Sequence, residues 1–468
     1  MPAARPPRSR ASSRADRAGP SHPGSRHSRA PTGDPETRNR HAGSDRRARR
    51  PAGRAAIRVT LLCWIIVVIE GYDIVAFGTV VPVLLANPEN GFTPENIGWI
   101  GSAVFVGAMV GALSSGALSD RYGRRPVAIG AVTIFTLFTV LCGTVDSVWP
   151  LALFRLLAGL GIGAIMPAAS ALTLEYAIPR YRTLTYTLML SGVPVGGVFA
   201  AVTALPVIPA WGWEAMFLLA GAPGVICLFI TARYLPESPQ FLDAIGRRDH
   251  AAAIRARFGL DAPALEVVTR EKTEGIFGRS YRTASIVFAT ATFCGLFAWY
   301  GLATWLPGLM SKAGYALDSS LVFLLVLNLG AVTGSLVIAA ASDRWSNRPV
   351  VVLTYLGMAA ALMALSIKLP SLSLLVCIAV AGVGGHGGQI LINAFVSASY
   401  PTGRRARALG WSLGAGRTGT IVGPIVIGWL VSGRDPLAGF AVFAGLAVVA
   451  AVLLALCPRT PAFRAPEG

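Results

Sequence analysis

Twelve stretches of this chain are each long and apolar enough to cross a lipid bilayer as a helix. They run over 57–85, 97–119, 127–145, 149–174, 183–207, 214–234, 284–310, 321–341, 350–369, 372–397, 409–431 and 438–457. A bilayer-crossing helix needs roughly 20 mostly apolar residues, so the chain reads as an all-α membrane protein with twelve transmembrane helices. Charge agrees with this. Asp, Glu, Lys and Arg make up 14% of the 468 residues, against roughly 25% in a soluble domain. A soluble enzyme, a disulfide scaffold and a nucleic-acid-binding domain are therefore excluded as the main reading. The cysteines (Cys63, Cys142, Cys227, Cys294, Cys377, Cys457) fall singly inside apolar runs, without metal-ligand or redox spacing, and read as small hydrophobes.

The spans divide into two sets of six. Residues 57–234 form the first half and 283–457 the second, with a polar central loop at 235–282 and a short tail at 458–468. Residues 1–56 hold 14 Arg and 4 acidic residues and no aliphatic run, so this basic tail is expected to be disordered. It has no apolar segment of a signal peptide. Anionic lipid headgroups suit it, and so does a dispensable solvated role. No aromatic residue interleaves its arginines, which argues against nucleic acid as a partner.

Charge also sets an expected orientation. Arg121, Arg124, Arg125, Arg180, Arg182, Arg344, Arg348, Arg404, Arg405 and Arg407 lie in alternate short loops, and the other loops carry Lys312, Lys368 and Arg434. Short loops rich in Arg stay in the cytoplasm. Both termini and the central loop are expected there, in a multi-pass protein of a bacterial-type inner or plasma membrane that functions as a monomer.

The halves repeat one another. Asp120-Arg-Tyr-Gly-Arg-Arg-Pro126 follows span two and Asp343-Arg-Trp-Ser-Asn-Arg-Pro349 follows span eight, with four of seven positions identical. Gly116-Ala-Leu-Ser-Asp120-Arg121-Tyr-Gly123-Arg124-Arg125 closely resembles the cytoplasmic loop motif of the major facilitator superfamily, whose fold consists of two six-helix halves. Four further stretches resemble its aromatic acid:proton symporter branch. These are Glu70-Gly71-Tyr72-Asp73, Trp305-Leu306-Pro307, Asn393 with Tyr400-Pro401, and Gly410-Trp411 through Gly416-Arg417 to Gly423-Pro424. The branch usually opens the first of these with Asp, where this chain has Glu70. Pro236-Glu237-Ser238-Pro239 resembles sugar and metabolite porters instead.

Glu70 and Asp73 lie three residues apart in mid-span and share a helical face. Acids in hydrocarbon usually face a cavity and mark an ion route. Both are candidates for the proton-coupling site, with a structural pair to Arg155 or Arg417 as the alternative. Asp73 is favoured because it keeps the residue the branch carries. The resemblance places Arg155 in proton coupling as well. Arg417, flanked by Gly414, Gly416 and Gly419, can grip a substrate carboxylate through two hydrogen bonds; an internal counter-ion is the rival role. His386, Gln389 and Asn393 make a polar stripe in span ten that suits substrate binding, or hydrogen bonding between helices. Of the aromatics in spans one and seven, Tyr72 and Tyr300 are the candidates for contacting an aromatic ring.

The resemblance implies a cytoplasmic gate from Gly116, Asp120, Arg121, Gly123, Arg124, Glu175, Asp343 and Arg344, which latches the outward-facing state. No metal and no cofactor is expected, with protons as the coupling ion. The expected function is secondary active, proton-coupled import of a small organic anion, foremost an aromatic carboxylate. A sugar or aliphatic metabolite porter is the nearest rival and a drug-exporting antiporter a weaker one. An enzyme is not expected.

Overall fold

The computed structural model describes residues 35–86, 91–178, 182–258, 260, 275–367, 369–433 and 438–458. Arg180, Lys368, Arg434, residues 1–34 of the basic tail, most of 259–274 in the central loop and the tail from 459 lie outside the described residues. The chain divides into two units, Met1–Ala48 and Arg49–Gly468. Of the first, the backbone is helical from Pro35, inside the stretch whose composition suggests no folded structure.

Helices α1 (Pro35–Ala86), α2 (Pro94–Tyr122), α3 (Arg124–Cys142), α4 (Val148–Tyr176), α5 (Arg182–Leu190), α6 (Gly192–Trp211) and α7 (Glu214–Tyr234) build the first half. Short helices α8 (Pro239–Ala244) and α9 (Arg248–Phe258) follow in the central loop. The second half contains α10 (Arg282–Lys312), α11 (Leu317–Trp345), α12 (Asn347–Ala364), α13 (Ser371–Gly382), α14 (Gly388–Ser399), α15 (Thr402–Val431) and α16 (Ala438–Leu456). A π-helical turn, Val383–Gly387, joins α13 to α14 as one span, and α5 and α6 likewise form one. Among the described residues, eleven spans pass on length and apolarity alone. The twelfth, α15, is 30 residues long, but Arg417 and the glycines around it dilute its apolar part, and Arg404, Arg405 and Arg407 occupy its start. Packing supplies what apolarity lacks, because α15 lies against α10 and, at one end, against α2.

Glycine sets how closely the helices of each half approach. A Cβ on Gly107 or Gly111 of α2 would collide with the carbonyl of Leu156 or Leu160 on α4, and one on Gly159 or Gly163 with that of Val104 or Ala108 in return. Such reciprocal contact is the small-residue packing that holds helices together where lipid offers no hydrophobic drive.

The halves meet at one end. Gly98 and Ser102 of α2 abut α15, where Ser102 Oγ donates to the Ile421 carbonyl at 2.6 Å, and Gly428 abuts the Pro94 carbonyl. Gly78 of α1 rests on Ala303 of α10, and Gly197 of α6 on the Asn328 side chain of α11. Trp305 is fully buried beside this seal, its indole N–H donating to the Pro424 carbonyl at 2.9 Å. Toward the arginine loops the picture reverses. Gly116 of α2 and Gly410 and Gly414 of α15 have no atom within 4 Å of where a Cβ would stand.

The repeated loop bends the chain the same way twice. Gly123 has φ 100° and ψ 162°; its counterpart Ser346 has φ 77° and ψ 150°. Among the described residues Ser346 is the one non-glycine with positive φ. That region is nearly exclusive to glycine and costs other residues on the order of 1–3 kcal/mol. Ser346→Gly is therefore expected to stabilise the protein by about 1 kcal/mol, read as a raised thermal unfolding midpoint in detergent. An unchanged or lowered midpoint would show that the loop holds no such strain.

Candidate functional site

The two mid-span acids part company in the structure. Asp73 and Arg155 are each 1% exposed and form an ion pair, Nη1 to Oδ2 at 2.7 Å. Thr139 Oγ1 donates to the other carboxylate oxygen at 2.8 Å. The guanidinium also stands over the rings of Phe77 and Phe217, 5.1 and 6.0 Å from their centroids. Neither Asp73 nor Arg155 lines the cavity described next. Glu70 and Asp73 lie three residues apart on α1, but the side they share is broad enough for α3 and α4 to cover one acid and leave the other.

Glu70 faces a cavity of about 330 Å³ between the halves. Opposite, on the second half, stand Arg417 and Thr420 of α15, Trp299 and Tyr300 of α10, and His386, Gln389 and Asn393 of the π-turn and α14. Five sequence candidates thus come together with Glu70: Arg417, Tyr300, His386, Gln389 and Asn393. Phe105 packs edge-on against Tyr300, centroids 4.8 Å apart, which joins the walls of the two halves. Tyr72 does not take part. Its hydroxyl donates to the Met216 carbonyl at 3.3 Å, away from the cavity, because it lies two residues round the helix from Glu70 and faces α7.

The polar groups divide into satisfied and unsatisfied. Glu70 Oε2 is buried without a hydrogen bond, and Arg417 interacts with Glu70 electrostatically across the cavity without a hydrogen bond or close ion pair among the described residues. The cavity lies at mid-depth and extends toward the arginine loops through Ser170, Tyr186 and Asn393. Toward the sealed end its lining stops at Ile74, Phe105, Tyr300 and Thr420. The site is thus open on one side only.

A second polar cluster lies at the arginine-loop end of the first half. Arg124 pairs with Glu175, whose Oε2 accepts from Ser238 Oγ at 2.6 Å. Glu237 caps α3, accepting from the backbone N–H groups of Arg124 and Arg125 at 2.9 and 3.2 Å. A carboxylate at a helix N-terminus meets both free N–H groups and the positive end of the dipole. Gly123 is needed here because a Cβ would strike the Glu237 carboxylate. Of the other expected gate residues, Arg121 stands over the Tyr122 ring and Asp120 lies within electrostatic reach of Arg124. Gly116, Asp120, Arg121, Asp343 and Arg344 are exposed, and Asp120 and Asp343 make no ion pair among the described residues.

The second half repeats part of this clamp. Arg125 donates to the carbonyl of Ala232 near the end of α7, and Arg348 to that of Ala455 near the end of α16. The ion pair is not repeated, since Asn347 and Ser399 stand where Arg124 and Glu175 would. In its place Tyr400 bonds Ser285 at 2.7 Å and stacks on Tyr281, over which Arg404 sits at 4.9 Å.

Comparison with known proteins agrees with two six-helix halves joined by a repeated loop motif. The Major Facilitator Superfamily model matches residues 63–332 and 323–467. The chain belongs to the Major Facilitator Superfamily. This facilitator is 40% identical over 408 residues to a gentisate transporter of Corynebacterium glutamicum, covering 86% of this chain and 88% of that one. It is 34% identical over 398 residues to a benzoate transport protein of Acinetobacter baylyi, covering 81% and 84%. Among solved structures, a D-xylose-proton symporter shares the fold with a TM-score of 0.69 at 16% identity, covering 87% of this facilitator and 99% of that chain. The facilitator is a transporter and not an enzyme.

Sequence reading missed three features of the facilitator's site. Trp299 lines the cavity although aromatic content alone did not separate it from lipid-facing rings. The π-turn was invisible, though its Gly382, Gly384, Gly385, Gly387 and Gly388 were a signal, and such turns often mark functional sites. Glu237 and Ser238 join the Arg124–Glu175 cluster, a role their Pro236–Pro239 motif does not reveal.

Proposed function

We propose that this facilitator imports an aromatic carboxylate together with protons across a plasma or inner membrane, with both termini and the arginine loops in the cytoplasm. The observation that carries this reading is Arg417, a guanidinium in a mid-depth cavity with aromatic walls that faces Glu70 from the other half without a hydrogen bond or ion pair among the described residues. A cavity of this volume falls at the small end of ligand pockets, which suits a single-ring acid. The named relatives carry gentisate and benzoate, both single-ring aromatic acids.

In this reading the structure is the inward-facing state. In the outward-facing state Glu70 takes a proton, and the substrate carboxylate docks on Arg417. Two anions sharing one buried cavity repel, so the proton on Glu70 is what lets the substrate sit. The halves then rock, the seal between α2 and α15 forms, and proton and substrate leave toward the cytoplasm. Asp120 and the exposed gate arginines engage the facing half when the other end closes. The cavity lies within one chain, so the monomer suffices.

Arg417→Lys tests the anchor. A point charge cannot reproduce the planar two-bond grip, and at least a tenfold loss of benzoate affinity is expected, measured by titration calorimetry on the purified protein. Wild-type affinity in Arg417→Lys would reduce Arg417 to an internal counter-ion.

A further inference from the structure

Behind the cavity stands Tyr355 of α12, which does not line it. Its side chain is fully buried, and its hydroxyl has no hydrogen bond among the described residues. The phenol reaches inward between α10 and α14 because two glycines let it pass. A Cβ on Gly295 of α10 would collide with the hydroxyl oxygen, and one on Gly388 of α14 would press on it at 3.1 Å. Phenylalanine would fill the same space with no polar atom to bury, and a buried tyrosine hydroxyl usually has a partner. Gln389 Oε1 is likewise buried without a hydrogen bond, and it lies 3.5 Å from the point where that Gly295 Cβ would stand. A donor without an acceptor and an acceptor without a donor thus border one hollow. Cys294 is also within electrostatic reach of the phenol, but a thiol sulfur accepts only weakly.

Gln389 is already committed at its other end. Its Nε2 donates to Asn393 Oδ1 at 3.0 Å, and both side chains line the cavity. The geometry points to Tyr355 as a positioning residue, whose hydroxyl donates to Gln389 Oε1 after a small turn of the amide and so fixes the polarity of the Gln389–Asn393 pair. With Oε1 held from behind, Nε2 must face Asn393 Oδ1, and Asn393 has its Nδ2 hydrogens left for the cavity. The wall then turns donors toward a bound anion, as Arg417 does from α15. Without the phenolic hydrogen the pair is free to turn over. Gln389 Oε1 then accepts from Asn393 Nδ2, and Asn393 Oδ1 faces the cavity with lone pairs that repel a carboxylate. This rests on the reading of the cavity as a carboxylate site anchored by Arg417, and it adds a residue outside the cavity that sets how firmly the anion is held.

The test is a double-mutant cycle on the purified full-length protein: Tyr355→Phe, Gln389→Met and the two combined. Two quantities are read, benzoate affinity by titration calorimetry and the thermal unfolding midpoint in detergent. Tyr355→Phe is expected to weaken benzoate binding about tenfold and to lower the midpoint. In the Gln389→Met background the same change should leave affinity unchanged and should not lower the midpoint, because the bond it removes no longer exists. Equal effects in both backgrounds make Tyr355 a packing residue and overturn the inference, as does wild-type benzoate affinity in Tyr355→Phe. Should Gln389→Met not fold, Gln389→Leu takes its place in the cycle. If the wild-type protein binds no benzoate, the carboxylate-site reading falls and the positioning role with it. Benzoate binding with no coupling between the two positions removes the positioning role only.

Discussion

Asp73→Asn is expected to destabilise the protein by about 3–5 kcal/mol, the cost of stranding one partner of a buried ion pair. The amide keeps the shape of the side chain and loses its charge. Arg155 cannot move to water, because it is 1% exposed and enclosed by Asp73, Phe77 and Phe217. The two rings offer attraction to a cation, worth roughly 2 kcal/mol when desolvated, which does not replace a carboxylate at 2.7 Å. Thermal unfolding in detergent should show a large drop in midpoint. Combining Asp73→Asn with Arg155→Met should recover much of it, because the double variant buries no lone charge. A single variant as stable as the wild type would mean that the pair is dispensable to the fold, and would reopen Asp73 as a working acid.

Glu70→Gln is expected to abolish uphill accumulation driven by a pH gradient while exchange of labelled for unlabelled substrate persists. The reasoning depends on where Glu70 sits. It is 5% exposed, lines the cavity and has a buried oxygen without a hydrogen bond, so it is not tied into the first half as Asp73 is. The amide imitates the protonated acid permanently. Loaded carrier can still move its substrate in either direction, which is all that exchange requires. Net accumulation needs the empty carrier to return without its proton, and the amide cannot release one. The measurement is paired in proteoliposomes: accumulation with an imposed pH gradient, and counterflow with none. Accumulation in Glu70→Gln with the wild-type dependence on the gradient would place the proton elsewhere. Loss of both activities in a folded variant would make Glu70 a substrate ligand.

These two variants also show where the sequence stopped being informative. Glu70 and Asp73 are three residues apart, and helical periodicity puts them on one side of α1. Periodicity does not say how wide a strip of that side the neighbours cover. The branch resemblance favoured Asp73, whereas the burial of Asp73 against α3 and α4 leaves Glu70 as the acid that meets Arg417 across the cavity. Tyr72 was misplaced for the same reason, since its hydroxyl is spent on the Met216 carbonyl of α7.

The sequence by itself determined the all-helical membrane class, the two six-helix halves and the loop motif repeated between them. Each of these is written locally: about 20 apolar residues make a span, a charge in hydrocarbon must have a purpose, and a repeat shows itself in its own letters. It also named Arg417, His386, Gln389, Asn393 and Tyr300, because polar and aromatic residues in mid-span are few. Only the tertiary structure decided which of the buried charges are paired off and which remain free. It alone showed that Gly98, Ser102 and Gly428 seal one end while Gly410 and Gly414 stand open at the other. Pairing and closure depend on contacts between residues hundreds of positions apart, such as Ser102 with Ile421, and no local pattern encodes which helix faces which.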